Sequence, residues 1–231
     1  MASWMVHLRI ADELLDRLDH ADETAFVMGN MAPDSGVPSA DWKEYHPPKS
    51  VSHFKTRPDD ETFFDTDAFR RMYFSDEAIK QYSLREFSFF LGYYVHLLTD
   101  VLWTGTVYLD LLKSHPKACA EDKHKLVWSA KADWYDLDFL YIERNPGFRA
   151  FSIYENAVNF DNEFMDLFSK DAFENRRRYI CGFYRSGQHG DLHREYRYLS
   201  PAQADAFVET ASRRIAAQES RFFRQEDPPG R

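Results

Sequence analysis

The stretch GYYVHLLTDVLW, residues 92–103, constrains this chain more than any other. His96 and Asp100 lie inside an otherwise apolar run. A carboxylate carried into an apolar interior is costly unless something neutralises it. On a helix, four-residue spacing puts the two side chains on one face, one turn apart. An imidazole nitrogen and a carboxylate oxygen can then share one cation. A structural His–Asp hydrogen bond would also satisfy the constraint, and the pair alone does not choose between the two.

The apolar run extends far enough, from Phe87 to Tyr108, to match a membrane-spanning helix in length. Its ionisable residues sit near the centre, where they are expensive in lipid, and no second span shelters them. A central buried helix of a helical bundle is the expected alternative. At 231 residues the chain is long enough for a sizeable core, and 44% hydrophobic against 29% charged residues reads as globular. A net charge of −9 argues against a broad face for long nucleic acid. Cys119 and Cys181 lack the spacing of a thiolate zinc site or a disulfide framework. No signal-peptide pattern opens the chain, so a cytoplasmic location is expected.

Helical periodicity dominates the rest. His7, Ile10, Ala11, Leu14 and Leu18 recur at helical steps, which turns His7 inward. Residues 28–60 hold five prolines and two glycines with no sustained period, and such loops are often functional. They carry Asp34, His46 and His53. Helices are expected over 65–81, over 83–114 with Ser83 as N-cap, over 123–141, 151–168 and 170–183, and from Ser200 to Phe223. Pro116 is expected to break the pattern, Arg176–Arg178 to form a solvated face, and residues 186–193 to form a loop. The expected architecture is all-α: a single-domain multi-helix bundle over residues 1–224 with a metal site in a cleft between helices, followed by a disordered tail at 225–231.

Three histidines and two carboxylates, His7, His53, His96, Asp34 and Asp100, form a donor set suited to zinc or another divalent transition metal. In this order, VHLRIADELL, GNMAPDSG, HF and FFLGYYVHLLTDVLW resemble the zinc-dependent phospholipase C family, with single-strand-specific zinc nucleases as more distant relatives. The resemblance covers about residues 4–110. It implies a metal cluster in a helical cleft. Asp34, His53, His96 and Asp100 would hold a first zinc, Asp100 bridging to a second ion that His7 also ligates, and Asp34 would be the catalytic base. Two departures stand out. Family members expose an N-terminal Trp whose amine and carbonyl bind metal, whereas Trp4 is internal here. They also carry a further His and an HxxxE pair after the bridging Asp, where this chain reads VLWTGTVYL. His124 lacks a Glu four residues on. The third metal site is therefore expected to be lost or rebuilt.

Asp133 and Asp136, three apart in SAKADWYDLDFLY, are additional metal-ligand candidates, and His189, Asp191 and His193 sit close together in SGQHGDLH. Lys55 and Arg57, just after His53, are candidates for binding a substrate phosphate. The function expected is a metal-dependent, zinc-using hydrolase of a small-molecule or lipid phosphoester, with one or two ions. The alternative is a non-catalytic metal-binding or interaction protein that keeps the fold with a reduced site. An HD-type phosphohydrolase is disfavoured, because the chain has no adjacent His-Asp pair.

Overall fold

The computed structural model describes residues 1–39, 44–57, 60 and 62–224. The expected tail at 225–231 lies outside the described residues. Helices make up most of what is described, and the only strands among the described residues are the two-residue β1 (Val37–Pro38) and β2 (Tyr45–His46), paired antiparallel.

Two helices build the centre: α2 (Glu23–Met31) and α6 (Leu84–Trp103). Both begin where their caps dictate. Asp22 accepts from the Ala25 N–H, and Ser83 with Glu86 forms a reciprocal capping box. The two helices meet backbone to backbone through glycine. A methyl group on Gly29 would stand 2.0 Å from the Phe89 carbonyl oxygen, and one on Gly92 would stand 2.0 Å from that of Phe26. No side chain fits at either position, so glycine sets the separation of the helices.

Around this pair lie α1 (Trp4–Leu15), α3 (Lys49–Ser52), α4 (Thr66–Tyr73), α5 (Asp76–Gln81) and α7 (Leu109–Ser114). The later elements are α8 (Pro116–Arg144), α9 (Arg149–Asn156), α10 (Ala172–Arg185) and α11 (Pro201–Gln218). One continuous apolar core joins them, with buried residues from the N-terminal segment to Phe223. Aromatic rings supply much of it: Phe69 stacks on Tyr93 and Tyr94, and Phe89 stacks on Phe164 at 4.0 Å. No helix among the described residues is long and apolar enough to cross a membrane.

The structure departs from the sequence expectations at several places. The long irregular segment contains the end of α2, a 3₁₀ turn at Ala32–Asp34, the β1–β2 pair and α3. Helix 65–81 is two helices, because Ser75 caps α5. Helix 83–114 runs through a π turn at Thr104–Tyr108. Pro116 begins a helix instead of ending one, as its missing N–H allows at a first turn, and the kink falls at Asp122, which caps the rest of α8. The helix expected over 151–168 stops at Asn156. Beyond it the Asn162 side chain binds the backbone of Phe164, Met165 and Phe168, a local alternative to helical hydrogen bonding. Of the arginine run only Arg178 is solvated. Arg176 and Arg177 are buried; Arg176 donates to the Gly36 carbonyl, and Glu174 takes both Arg177 and Arg178.

Gly92→Ala should cost about 3 kcal/mol or more, in the class of severe overpacking. Gly182→Ala in α10 meets nothing within 4 Å and should be neutral or stabilising by up to about 1 kcal/mol. Thermal denaturation of the two variants checks both expectations.

Candidate metal centre

Five of the sequence candidates converge. His7, His53, His96 and Asp100 are fully buried and Asp34 nearly so. His96 and Asp100 come from α6. The close approach of α2 gives His96 its orientation: Nδ1 lies 2.7 Å from the Asn30 carbonyl, one of the carbonyls left open at a helix C-terminus. Nδ1 therefore carries the proton, and Nε2 turns its lone pair toward Asp100.

His53 ends α3, and its Nδ1 lies 3.0 Å from Ser52 Oγ. Tyr93 donates its hydroxyl to the Ser52 carbonyl and ties that turn to α6. The next residue, Phe54, has φ of +52°, uncommon for a bulky side chain. The Asp65 N–H on its carbonyl and the Phe69 ring hold it there. Asp34 closes the 3₁₀ turn, whose continuation Arg176 grips at Gly36. His7 lies flat on His96, with ring centroids 3.7 Å apart and planes 1° from parallel.

Four donor-to-donor separations around His53 and His96 are close to those of a tetrahedral site. His53 Nε2 is 3.3 Å from His96 Nε2, 3.5 Å from Asp34 Oδ1 and 3.7 Å from Asp100 Oδ2, and His96 Nε2 is 3.6 Å from Asp100 Oδ2. Zinc bonds of about 2.0–2.1 Å at the tetrahedral angle separate neighbouring donors by roughly 3.3–3.4 Å. His7 Nε2 and Asp100 Oδ1, 3.5 Å apart, stand on the other side of the same carboxylate. Hydrogen cannot satisfy this cluster. His53 Nε2 has at most one proton to offer three facing acceptors. Asp100 Oδ2 and both ring nitrogens of His7 have no hydrogen-bond partner among the described residues. Native interiors seldom leave such atoms unpaired. This donor set fits a divalent cation.

Electrostatics keeps the cluster's carboxylates ionised and His96 neutral. Burial alone would raise Asp34, but the Lys49 ammonium at 3.8 Å and His53 outweigh it and hold the carboxyl well below the usual range. For Asp100 burial is likewise outweighed, by the N-terminal ammonium and His7, and its Oδ1 accepts the Ala2 N–H at 2.8 Å. Burial first, then the facing His7, push His96 well below the usual imidazole range.

A cleft of about 230 Å³ opens beside the cluster. Asp34 reaches it, along with residues 1–4, Lys49, Lys55, Lys131, Trp134 and Tyr135. Trp4 packs edge-on against Tyr179, Phe183 and Tyr184. Arg57 lies over the Phe63 ring, 3.7 Å from its centroid, and does not line the cleft. Asp133 and Asp136 are apart from the cluster: Arg194 pairs with both at 2.8 Å and ties α8 to the segment before α11. His124 accepts from Trp128, His189 packs on Phe139, and His193 pairs with Glu143. Sequence reasoning missed the Asn30 carbonyl, Lys49, Lys131 and Asp138. Asp138 holds the N-terminal segment, accepting from Ser3 and Tyr184 at 2.7 Å each.

The profile of the zinc dependent phospholipase C family matches residues 6–125. No curated protein and no solved structure matches the chain.

Burial pushes the Asp138 carboxyl up to about 7, against hydrogen bonds from Ser3 and Tyr184 and the nearby Arg9. The folded state then binds the proton that the unfolded chain releases near pH 4, so stability should fall as pH rises from about 4 to 7 and level off above. Melting temperatures measured across that window should fall less steeply for Asp138→Asn than for the wild type.

Proposed function

The chain belongs to the zinc-dependent phospholipase C family, and on that premise we propose that it is a metal-dependent phosphoester hydrolase using zinc. Residues 1–224 would act as one helical unit. The observation that carries the reading is the unsatisfied, closely spaced donor cluster beside an open cleft. Asp34, His53, His96 and Asp100 would hold one ion. Asp100 would bridge to a second that His7 ligates, because His96 has only Nε2 to give once Asn30 holds Nδ1.

When bound, the ion supplies Lewis acidity at the phosphoryl group and acidifies a water. The chain's own groups do the rest. Asp34, the one cluster carboxylate that reaches the cleft, accepts the proton of the attacking water at a carboxylate oxygen, and Lys49 keeps it ionised for that role. Lys55 and Lys131 neutralise phosphoryl charge. Residues 1–4 wall the site, and the Ala2 N–H fixes Asp100. The family supports a lipid phosphoester as the substrate class.

One observation favours a second reading. Four protein donors around one ion make the closed coordination of structural zinc, which suits a non-catalytic metal-binding protein.

Metal analysis of the purified protein separates these readings from a metal-free helical domain. One or two equivalents of zinc are expected in the wild type, with most of it lost in His96→Ala. Asp34→Asn should lower turnover of a chromogenic phosphoester by about 100-fold or more. Full zinc with no turnover of any phosphoester would favour the structural reading, and zinc-free wild type would sink both.

A further inference from the structure

The two histidines that face each other in the cluster are held by partners of different kinds. His96 Nδ1 meets the Asn30 carbonyl oxygen at 2.7 Å. A carbonyl only accepts, so this neutral ring has one form available to it, with the proton on Nδ1. His53 Nδ1 meets the Ser52 hydroxyl at 3.0 Å. A hydroxyl both donates and accepts, so Ser52 can serve either neutral form of His53. Both side chains are buried. The backbone holds Ser52 in place from two sides: its N–H bonds the Pro48 carbonyl, and its carbonyl takes the Tyr93 hydroxyl.

The opposite ring nitrogen decides which form is needed. His53 Nε2 faces His96 Nε2 at 3.3 Å, Asp34 Oδ1 at 3.5 Å and Asp100 Oδ2 at 3.7 Å. All three are acceptors, because His96 keeps its proton on Nδ1 and both carboxyls are held ionised. With no cation among them, a proton on His53 Nε2 relieves the facing lone pairs. Nδ1 then accepts the Ser52 O–H. A metal ligand must instead present a lone pair. With a cation bound, the proton of the neutral ring belongs on Nδ1, which donates to Ser52 Oγ.

We propose that Ser52 is the positioning residue that lets His53 exchange tautomers as the ion binds. This rests on the metal-binding part of the hydrolase reading. The protons balance: Nε2 gives one to solvent, Nδ1 takes one up, and the ring stays neutral. The Ser52 hydroxyl hydrogen swings from Nδ1 toward a carbonyl one turn back, a usual acceptor of a helical serine. Neither state then leaves a buried N–H of His53 unpaired. His96 is preset in ligand form by Asn30, so the cluster joins one fixed imidazole to one adaptive one. The bond from Nδ1–H to Oγ also raises the basicity of Nε2 toward the metal. Alanine at position 52 removes that support and orphans a buried donor in the loaded state.

The test is long-range nitrogen–proton NMR of the full chain labelled at histidine, metal-free and zinc-saturated, at about pH 8, where imidazoles are ordinarily neutral. In metal-free wild type, His53 should be neutral with its proton on Nε2. Zinc should move that proton to Nδ1, while His96 shows Nδ1 protonation throughout. Ser52→Ala should weaken zinc binding, read by competition with a chelator, by about tenfold or more. The His96 signals of the metal-free variant should stay at wild-type positions, which separates loss of the hydroxyl from a disturbed fold. A packing role alone would lower the melting temperature and leave zinc affinity unchanged. Metal-free His53 protonated on Nδ1 or on both nitrogens, or zinc binding weakened less than about tenfold in Ser52→Ala, would overturn the proposal. Zinc uptake with the proton shift but no turnover of a phosphoester would keep the role of Ser52 and sink the hydrolase reading. Turnover with zinc bound and no shift would do the reverse, and a protein that takes up no zinc would end both.

Discussion

The contact between α2 and α6 is the constraint on which the site depends. With glycine at both crossing points, the helices approach until carbonyl oxygens fill the space a methyl group would need. Such an approach contributes little by apolar burial and leaves two positions unable to vary. In return it fixes an atom: the Asn30 carbonyl arrives at 2.7 Å from His96 Nδ1. That hydrogen bond selects the imidazole tautomer, and the tautomer decides which nitrogen faces Asp100. A shift of α2 by even an ångström would leave His96 free to rotate and would dissolve the cluster's geometry. The structure thus runs from two glycines, through one backbone oxygen, to the chemistry of a buried donor set.

Charge is organised just as strictly. A protein with a net charge of −9 carries two buried carboxylates at the cluster and a lysine-lined cleft beside it. Neither would be stable in isolation, since buried charges need partners. Asp100 is held by the Ala2 N–H, and Asp34 by Lys49 and His53. Burial holds His96, whose ring stacks on His7 at 3.7 Å, well below the usual imidazole range, which keeps its lone pair available for a cation. Local fields of opposite sign thus lie side by side at the cluster and the cleft.

How much of this the sequence reveals depends on the range over which each residue acts. His96 and Asp100 are legible because their cost is local: a His and an Asp in an apolar helix demand a reason, and the spacing supplies one. The helical content is legible for the same cause, since periodicity and caps act within a turn or two. Asp133 and Asp136 show the limit. Two carboxylates three apart look the same whether they face a metal or a guanidinium, and their partner, Arg194, arrives from a distant loop. Lys131 is equally silent: an isolated lysine on a helix is ordinary until the fold places it in a cleft. The helix expected through 168 failed because a single asparagine side chain outcompeted it, a tertiary outcome that periodicity does not encode.

The division along the chain carries a further consequence. Every residue of the donor cluster, from His7 to Asp100, lies inside the 6–125 span that the family profile matches. The cleft wall made by Lys131, Trp134 and Tyr135 lies beyond it. Ion-binding geometry tolerates little variation, because donors must meet within tenths of an ångström. A cleft wall tolerates much, because it needs only shape and sign of charge. The α8 wall, on a kinked helix tied down by Asp133, Asp136 and Asp138, can change its lysine and aromatics without moving one ligand. Family membership therefore speaks to the donor cluster, while the α8 wall of the cleft lies where the family profile does not reach. Asp138 joins the two halves: it grips Ser3, one residue from the backbone N–H that orients Asp100. The helix that forms one wall of the cleft thereby also braces a carboxylate of the cluster.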